Sequence, residues 1–292
     1  MATLTYFLIS LRPKQWVKNV FIFAPMIFSL HMFQAAYIWR SLLAFFLFSL
    51  VTGAVYVGND ILDRGKDQLH PVKKNRPIAA GRLSVRAALP AAAVLLAAVL
   101  LLIARFDREF FLIAAFYIGL NMFYSLFLKS VVIIDIMVIA LGFVLRVMIG
   151  GAVNDILLYP WILISTFLLA VFLALIKRRQ ELLKTQEQPG GPARKTLQSY
   201  TLSLLDQMIS IATATTLISY IMYVLSPDVQ QKFHTDKLFY TVPFVIFGIF
   251  RYLFLAYSKG EGESPSDIIY SDVPFTLNLL LWVAAFILLV SH

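Results

Sequence analysis

The chain contains no cysteine. That absence excludes disulfides, thiolate-held metals and a cysteine nucleophile. Charge is scarce too: Asp, Glu, Lys and Arg make up 14% of 292 residues, too little to solvate a soluble domain of this size. Histidine occurs four times and never as a pair beside the acids, so an imidazole-held zinc site has no basis here. The opening residues show no short apolar core followed by small residues, and no cleavable signal is expected. Acids are the scarcer sign, 16 against 25 Lys and Arg, for a net charge of +9. The cations sit in short loops beside apolar runs. We therefore read them as membrane topology, and no nucleic-acid partner is expected.

What abounds is apolar: 60% of the residues are hydrophobic and the mean hydropathy is +0.80. Both values indicate an all-α, polytopic membrane protein, read here as a single transmembrane domain over 1–292. Nine spans are expected, at 17–35, 38–59, 85–104, 109–128, 131–152, 158–176, 207–225, 238–257 and 274–291. Pro25, Gly119, Gly142, Gly150 and Pro243 fall inside them, as membrane helices tolerate. With a cytoplasmic N-terminus, 18 of the 25 Lys and Arg lie on the cytoplasmic side and five on the other, while Arg146 and Arg251 lie within spans. That bias fixes the orientation. Loops 60–86, 177–206 and 259–273 then face the cytoplasm. The second contains a turn at Pro189-Gly190-Gly191-Pro192, and the third carries Glu261, Glu263, Asp267 and Asp272.

The densest chemistry lies at 57–71, where an apolar run ends in Asn59, Asp60, Asp63 and Asp67. On a continuing helix the three carboxylates share one face, within roughly a 60° arc. Clustered carboxylates repel and need a counter-charge. Oxygen-only donors favour a hard divalent ion, Mg²⁺ above all, and Mg²⁺ held this way keeps positions open for phosphate oxygens. Lys73, Lys74 and Arg76 follow at once and suit phosphate recognition. Asp135 and Arg146 are ionisable groups within a span, read as separate cavity groups. Tyr124 and Lys129 end the preceding span on the cytoplasmic side, where Lys129 suits either an anion or the lipid interface. Lys177, Arg178 and Glu181 close the sixth span, either as a helix-surface ion pair or as a second, basic wall facing the carboxylates. Arg12, Lys14 and Lys18 precede the first span and suit lipid headgroups or topology alone.

Asn59-Asp60-x-x-Asp63-x-x-x-Asp67 at the cytoplasmic end of the second span resembles the first Asp-rich motif of the UbiA superfamily of intramembrane prenyltransferases. The likeness runs on through Leu11-Arg12-Pro13-Lys14-Gln15-Trp16, then His70-Pro71-x-Lys73-x-x-Arg76-Pro77, then Tyr124, Lys129, Asp135, Arg146 with Gly150-Gly151, and Lys177-Arg178-x-x-Glu181-Leu182. That last motif stands where other superfamily members carry a second Asp-rich motif. It points to the decaprenyl-phosphate phosphoribosyltransferase branch.

The resemblance implies a helical bundle with a cytoplasm-facing cavity in a bacterial inner membrane, capped by the three loops. It implies a Mg²⁺-dependent transfer of 5-phosphoribose from phosphoribosyl diphosphate to a decaprenyl-like polyprenyl phosphate. Asp60, Asp63 and Asp67 would be catalytic and metal-binding. Asn59, Lys73, Arg76, Tyr124, Lys129, Asp135, Arg146, Lys177, Arg178, Glu181 and Lys18 would bind substrate. A homo-oligomer is compatible with such a chain. Aromatic prenyl transfer on the same fold is the first alternative and a lipid flippase the second, although a flippase would need ionisable groups on both faces.

Overall fold

The structure is a computed structural model that describes residues 2–187, 195–260, 268, 269 and 271–291. The turn at 189–192 and the acids Glu261, Glu263 and Asp267 lie outside the described residues. The chain divides into two compact units, one running to Leu158 and the other starting at Tyr159. Eight helices among the described residues are long and apolar enough to cross a membrane, four in each unit. The protein is a multi-pass membrane protein.

In the first unit these helices are α1 (Ala35–Leu62), α2 (Val85–Phe106), α3 (Arg108–Leu126) and α4 (Ile134–Ala152). Two of them start at side-chain caps: Ser84 accepts from Ala87 N–H and Asp107 from Phe110 N–H. The inner helices are α1 and α4, with 56% and 61% of their apolar windows buried, against 22% for α2 and α3. Their shared core gathers Ile22, Phe48, Val51, Phe110, Leu145 and Ile149.

The span expected at 17–35 is not one helix. A 3₁₀ segment, Pro13–Phe23, is followed by a five-residue helix, Ala24–Phe28, and a 3₁₀ turn, His31–Phe33. The chain breaks at Leu30, whose φ is 60°. An apolar run of sufficient length signals burial, but Pro25 cannot donate to a continuous ladder. The 3₁₀ segment instead lies directly on α4. A Cβ added at Gly150 would come within 2.0 Å of the Ile22 carbonyl oxygen, so only glycine permits this backbone approach.

The second unit contains α5 (Pro160–Glu187), α6 (Leu202–Leu225), α7 (Val242–Ser258) and α8 (Val273–Ser291). Thr201 caps α6 at Leu204 N–H. Polar side chains tie these helices where lipid offers no partner. Ser165 donates to Ser219, Trp282 Nε1–H to the Tyr220 hydroxyl, and Gln180 to the Ala256 carbonyl.

Candidate active site

The acidic stretch does not form one uninterrupted helix. Helix α1 ends at Leu62, Asp63 occupies the joint, and a short helix resumes at Arg64–Leu69. Asp60 and Asp67 keep the common face that their spacing implied, and both are buried. Arg76 lies between them. Its Nη1 is 3.0 Å from Asp60 Oδ1 and 2.6 Å from Asp67 Oδ2. Arg12 donates to the same Asp60 oxygen and stacks over the Tyr56 ring, 4.9 Å from its centroid. Asp63, at the joint, meets Lys129 Nζ at 2.7 Å. Asn59 accepts from Ser125, the neighbour of half-buried Tyr124, at 2.6 Å.

Three carboxylates are thus met by three cations. One nitrogen already sits between oxygens of Asp60 and Asp67, which is the bridging position a cation takes between two carboxylates. No group of three acids or histidines converges on one point among the described residues. The donor set fits a hard divalent ion by its chemistry: Asp60 and Asp67 would hold it, with the oxygens of Asp63 and Asn59 on the same stretch.

Beyond this centre, Lys73 is half-buried, and its backbone N–H donates to His70 Nδ1, as does that of Val72. Burial, and then the Lys73 charge, lower the His70 pKa below its ordinary value. The imidazole is therefore kept neutral and free to accept those two bonds. Lys18 is exposed, and Asp135 is fully buried in the first turn of α4.

Arg146 is buried, and it donates to neutral groups. It donates to Asn19 Oδ1 at 2.8 Å and to the Gly142 carbonyl at 2.5 Å, with Tyr117 Oη at 3.5 Å. The rings of Phe48, Tyr117 and Phe143 surround the guanidinium at 5.3–5.5 Å. Such quadrupole contacts replace part of the lost hydration. Asn19 also donates to Ser49, so Arg146 ties the 3₁₀ segment to α1 and α4.

Lys177, Arg178 and Glu181 lie in the second unit. Lys177 is half-buried, while Arg178 is 1% exposed and paired with Glu181 at 2.8 Å.

The partners that sequence reading missed are Arg12, Ser125 and Asn19. Arg12 carried one local signal, an arginine directly before proline. It adopts a left-handed backbone, φ 53° and ψ 63°, a conformation disfavoured both for a non-glycine residue and for a residue before proline. Ser125 and Asn19 carried no signal, since their partners lie 66 and 127 residues away.

A family model described as the UbiA prenyltransferase family matches residues 20–266. A decaprenyl-phosphate phosphoribosyltransferase of Corynebacterium glutamicum is 33% identical over 96% of this chain and 85% of its own length. Another, from Mycolicibacterium smegmatis, is 30% identical over 94% of this chain and 89% of its own. Among solved structures, a UbiA homolog from Archaeoglobus fulgidus bound to GPP and Mg²⁺ superposes with a TM-score of 0.72. It covers 98% of this chain and 100% of its own at 20% identity, a likeness of fold.

Proposed function

The chain belongs to the UbiA prenyltransferase family, and on that premise we propose that it transfers 5-phosphoribose from 5-phosphoribosyl 1-diphosphate to a polyprenyl phosphate, with release of diphosphate. The observation that carries this reading is the acidic centre itself, in which Arg12, Arg76 and Lys129 meet three carboxylates and further lysines follow on the same stretch. Both substrates carry phosphate, and Lys73, Lys74 and Lys177 add positive charge beyond the cations that meet these acids, whereas an aromatic acid brings one carboxylate. The names of the relatives at 30% identity and above support the same choice.

In the proposed step a phosphate oxygen of the lipid attacks C1 of the ribose, and the bond from C1 to the diphosphate oxygen breaks. The lipid phosphate is already ionised near neutral pH, so no side chain need take a proton. Catalysis then rests on position and charge. Bound Mg²⁺ would supply neutralisation of the leaving diphosphate. Asp60 and Asp67 would hold it with Asp63, and Asn59 would assist. Arg76, Lys73 and Lys129 would contact phosphate oxygens, with Lys18, Tyr124, Asp135 and Arg146 shaping the acceptor side. From the charge pattern of the sequence, Lys177 and Arg178, the latter held by Glu181, are assigned to the 5-phosphate of the donor. The family match runs through both units, which supports one functional domain. The charge bias supports a cytoplasm-facing site in a bacterial inner membrane.

Purified protein given Mg²⁺, phosphoribosyl diphosphate and polyprenyl phosphate should release diphosphate, with neither organic substrate sufficing alone. Release only with a prenyl diphosphate and an aromatic acid would move the chain to aromatic prenyl transfer.

A further inference from the structure

Within the second unit an open groove runs between α6 and α7. One hollow of about 690 Å³ lies between the two helices, and a shallow polar face of α6 adjoins it through Asp206 and Ser210. Its mouth lies where α6 starts and α7 ends. There Asp206 Oδ1 accepts from Arg179 Nε at 2.7 Å and from the Tyr257 hydroxyl at 2.6 Å. The Arg179 guanidinium stacks on the Tyr257 ring at 3.9 Å. Deeper in, the walls are Leu217, Phe250, Leu253 and Phe254.

This groove is not the face assigned to the donor. Arg179 projects from α5 about 160° away from Lys177 and Glu181. Two features set it apart from an ordinary seam between membrane helices. The first is a polar stripe: Ser203, Gln207 and Ser210 follow one face of α6 into the groove. Polar groups are costly against hydrocarbon, and of these the Ser210 hydroxyl is met by the Asp206 carbonyl at 2.9 Å. The second is Thr213, which lines the hollow. It is 8% exposed, and its Oγ1 has no hydrogen-bond partner among the described residues. Other hydroxyls of the same helix, those of Thr215 and Thr216, are satisfied by carbonyls one turn back.

We propose that this groove binds one membrane glycerophospholipid with a primary-ammonium headgroup, phosphatidylethanolamine in chemical class. The mouth is a dipole that matches a zwitterion. Asp206, whose side chain is 40% exposed, accepts from the ammonium together with the serine hydroxyls and the Gln207 amide oxygen. Arg179, bonded to Asp206 at the mouth, supplies the positive charge for the phosphodiester. Thr213 lies seven residues below Asp206, about 10 Å along the helix. That matches the span from the ammonium to the acyl esters of an extended headgroup. Its hydroxyl donates to an ester carbonyl, and an acyl chain covers the Phe250–Leu217 wall. A trimethylammonium headgroup has no N–H for Asp206. A headgroup with net negative charge meets a carboxylate.

The test uses delipidated full-length protein in detergent, titrated with phosphatidylethanolamine, phosphatidylcholine or phosphatidylglycerol of matched chains, with bound lipid read by native mass spectrometry. Phosphatidylethanolamine should bind at least about tenfold more tightly than the other two. Asp206→Asn should erase its advantage over phosphatidylcholine. Because Asp206→Asn also strips Arg179 of its partner, Thr213→Val serves as the second variant. It removes a hydroxyl with no partner among the described residues, so unliganded melting should stay put while phosphatidylethanolamine affinity falls about fivefold, the loss of one neutral hydrogen bond. Equal binding of the three lipids overturns the proposal, as does wild-type affinity in Thr213→Val. Displacement of phosphatidylethanolamine by polyprenyl phosphate at equal concentration would also overturn it, by giving the groove to the acceptor. None of these readouts depends on the transfer reaction.

Discussion

Replacing Arg76 by glutamine tests the acidic centre most directly. The guanidinium touches two carboxylates whose side chains are only 3% and 6% exposed, while its own is 28% exposed. Asp60 would keep Arg12 after the change, and Asp67 would lose its cation. Removing one partner of a buried pair costs about 3–5 kcal/mol because the other charge stays behind. The partial exposure of Arg76 places the expectation at the lower end, about 3 kcal/mol. For a chain of 292 residues that corresponds to a fall of about 5 °C in melting temperature. It should be measured at fixed scan rate in detergent, since unfolding of such proteins is commonly irreversible. Adding Asp67→Asn should restore most of the loss by removing the stranded charge, while transfer stays impaired. Magnesium should also rescue the single variant. An ion present at 100 times its Kd adds about 2.7 kcal/mol to a state that binds it alone. If Arg76→Gln melts within about 2 °C of the wild type, the guanidinium does not balance these carboxylates and the charge account of the site is wrong.

Other consequences follow from the same geometry. Asp60→Asn and Asp63→Asn should each lower the transfer rate at least about 10²-fold, and full turnover in excess chelator would remove the metal from the account. Lys177→Ala should lower catalytic efficiency for phosphoribosyl diphosphate about 10- to 150-fold, the loss of one charged hydrogen bond, with melting unchanged; normal efficiency would unseat the donor assignment. Gly150→Ala places a carbon 2.0 Å from the Ile22 oxygen and should cost at least about 1–3 kcal/mol of overpacking, read as lost melting temperature; a wild-type melt would mean that the 3₁₀ segment does not rest on α4. His70 has a folded pKa below its ordinary 6.5, so its contribution is present above about pH 6.5 and is lost as pH falls through the folded value. The wild type should therefore lose more melting temperature than His70→Asn between about pH 7 and 5, and parallel curves would count against the neutral ring.

Eight spans were legible because a membrane helix satisfies its backbone internally and needs only an apolar run of sufficient length. The stretch at 17–35 met that test of composition and still did not form one helix. Hydropathy reports how much of a segment avoids water, whereas the break depends on Pro25 and on a glycine more than a hundred residues away. The acids illustrate the same limit. Their spacing correctly paired Asp60 with Asp67, since 3.6-residue periodicity describes a single element. It carried no sign of the partner of Asp63, Lys129, 66 residues on. Arg146 was legible as an ionisable group inside a span. Its surroundings, three aromatic rings and an amide from the 3₁₀ segment, were not.

The matching of acids by cations bears on how the site could change charge. Arg12, Arg76 and Lys129 cancel Asp60, Asp63 and Asp67 at close range, so the unliganded centre holds no large bare charge against the membrane. Arg12 keeps its place despite a backbone conformation that costs of order 1–3 kcal/mol, so its surroundings must fix it there. On the proposed reaction, a diphosphate that arrives with its counter-ion brings both signs together. The guanidinium groups can then turn from carboxylate to phosphate without stripping either of a partner. Arg76 is the group best placed for that exchange. It bridges two acids through one nitrogen, its side chain keeps one edge in water, and it sits on a short segment after the 3₁₀ turn Lys73–Asn75. Arg12, tied to Asp60 and stacked on Tyr56, is the group better suited to stay.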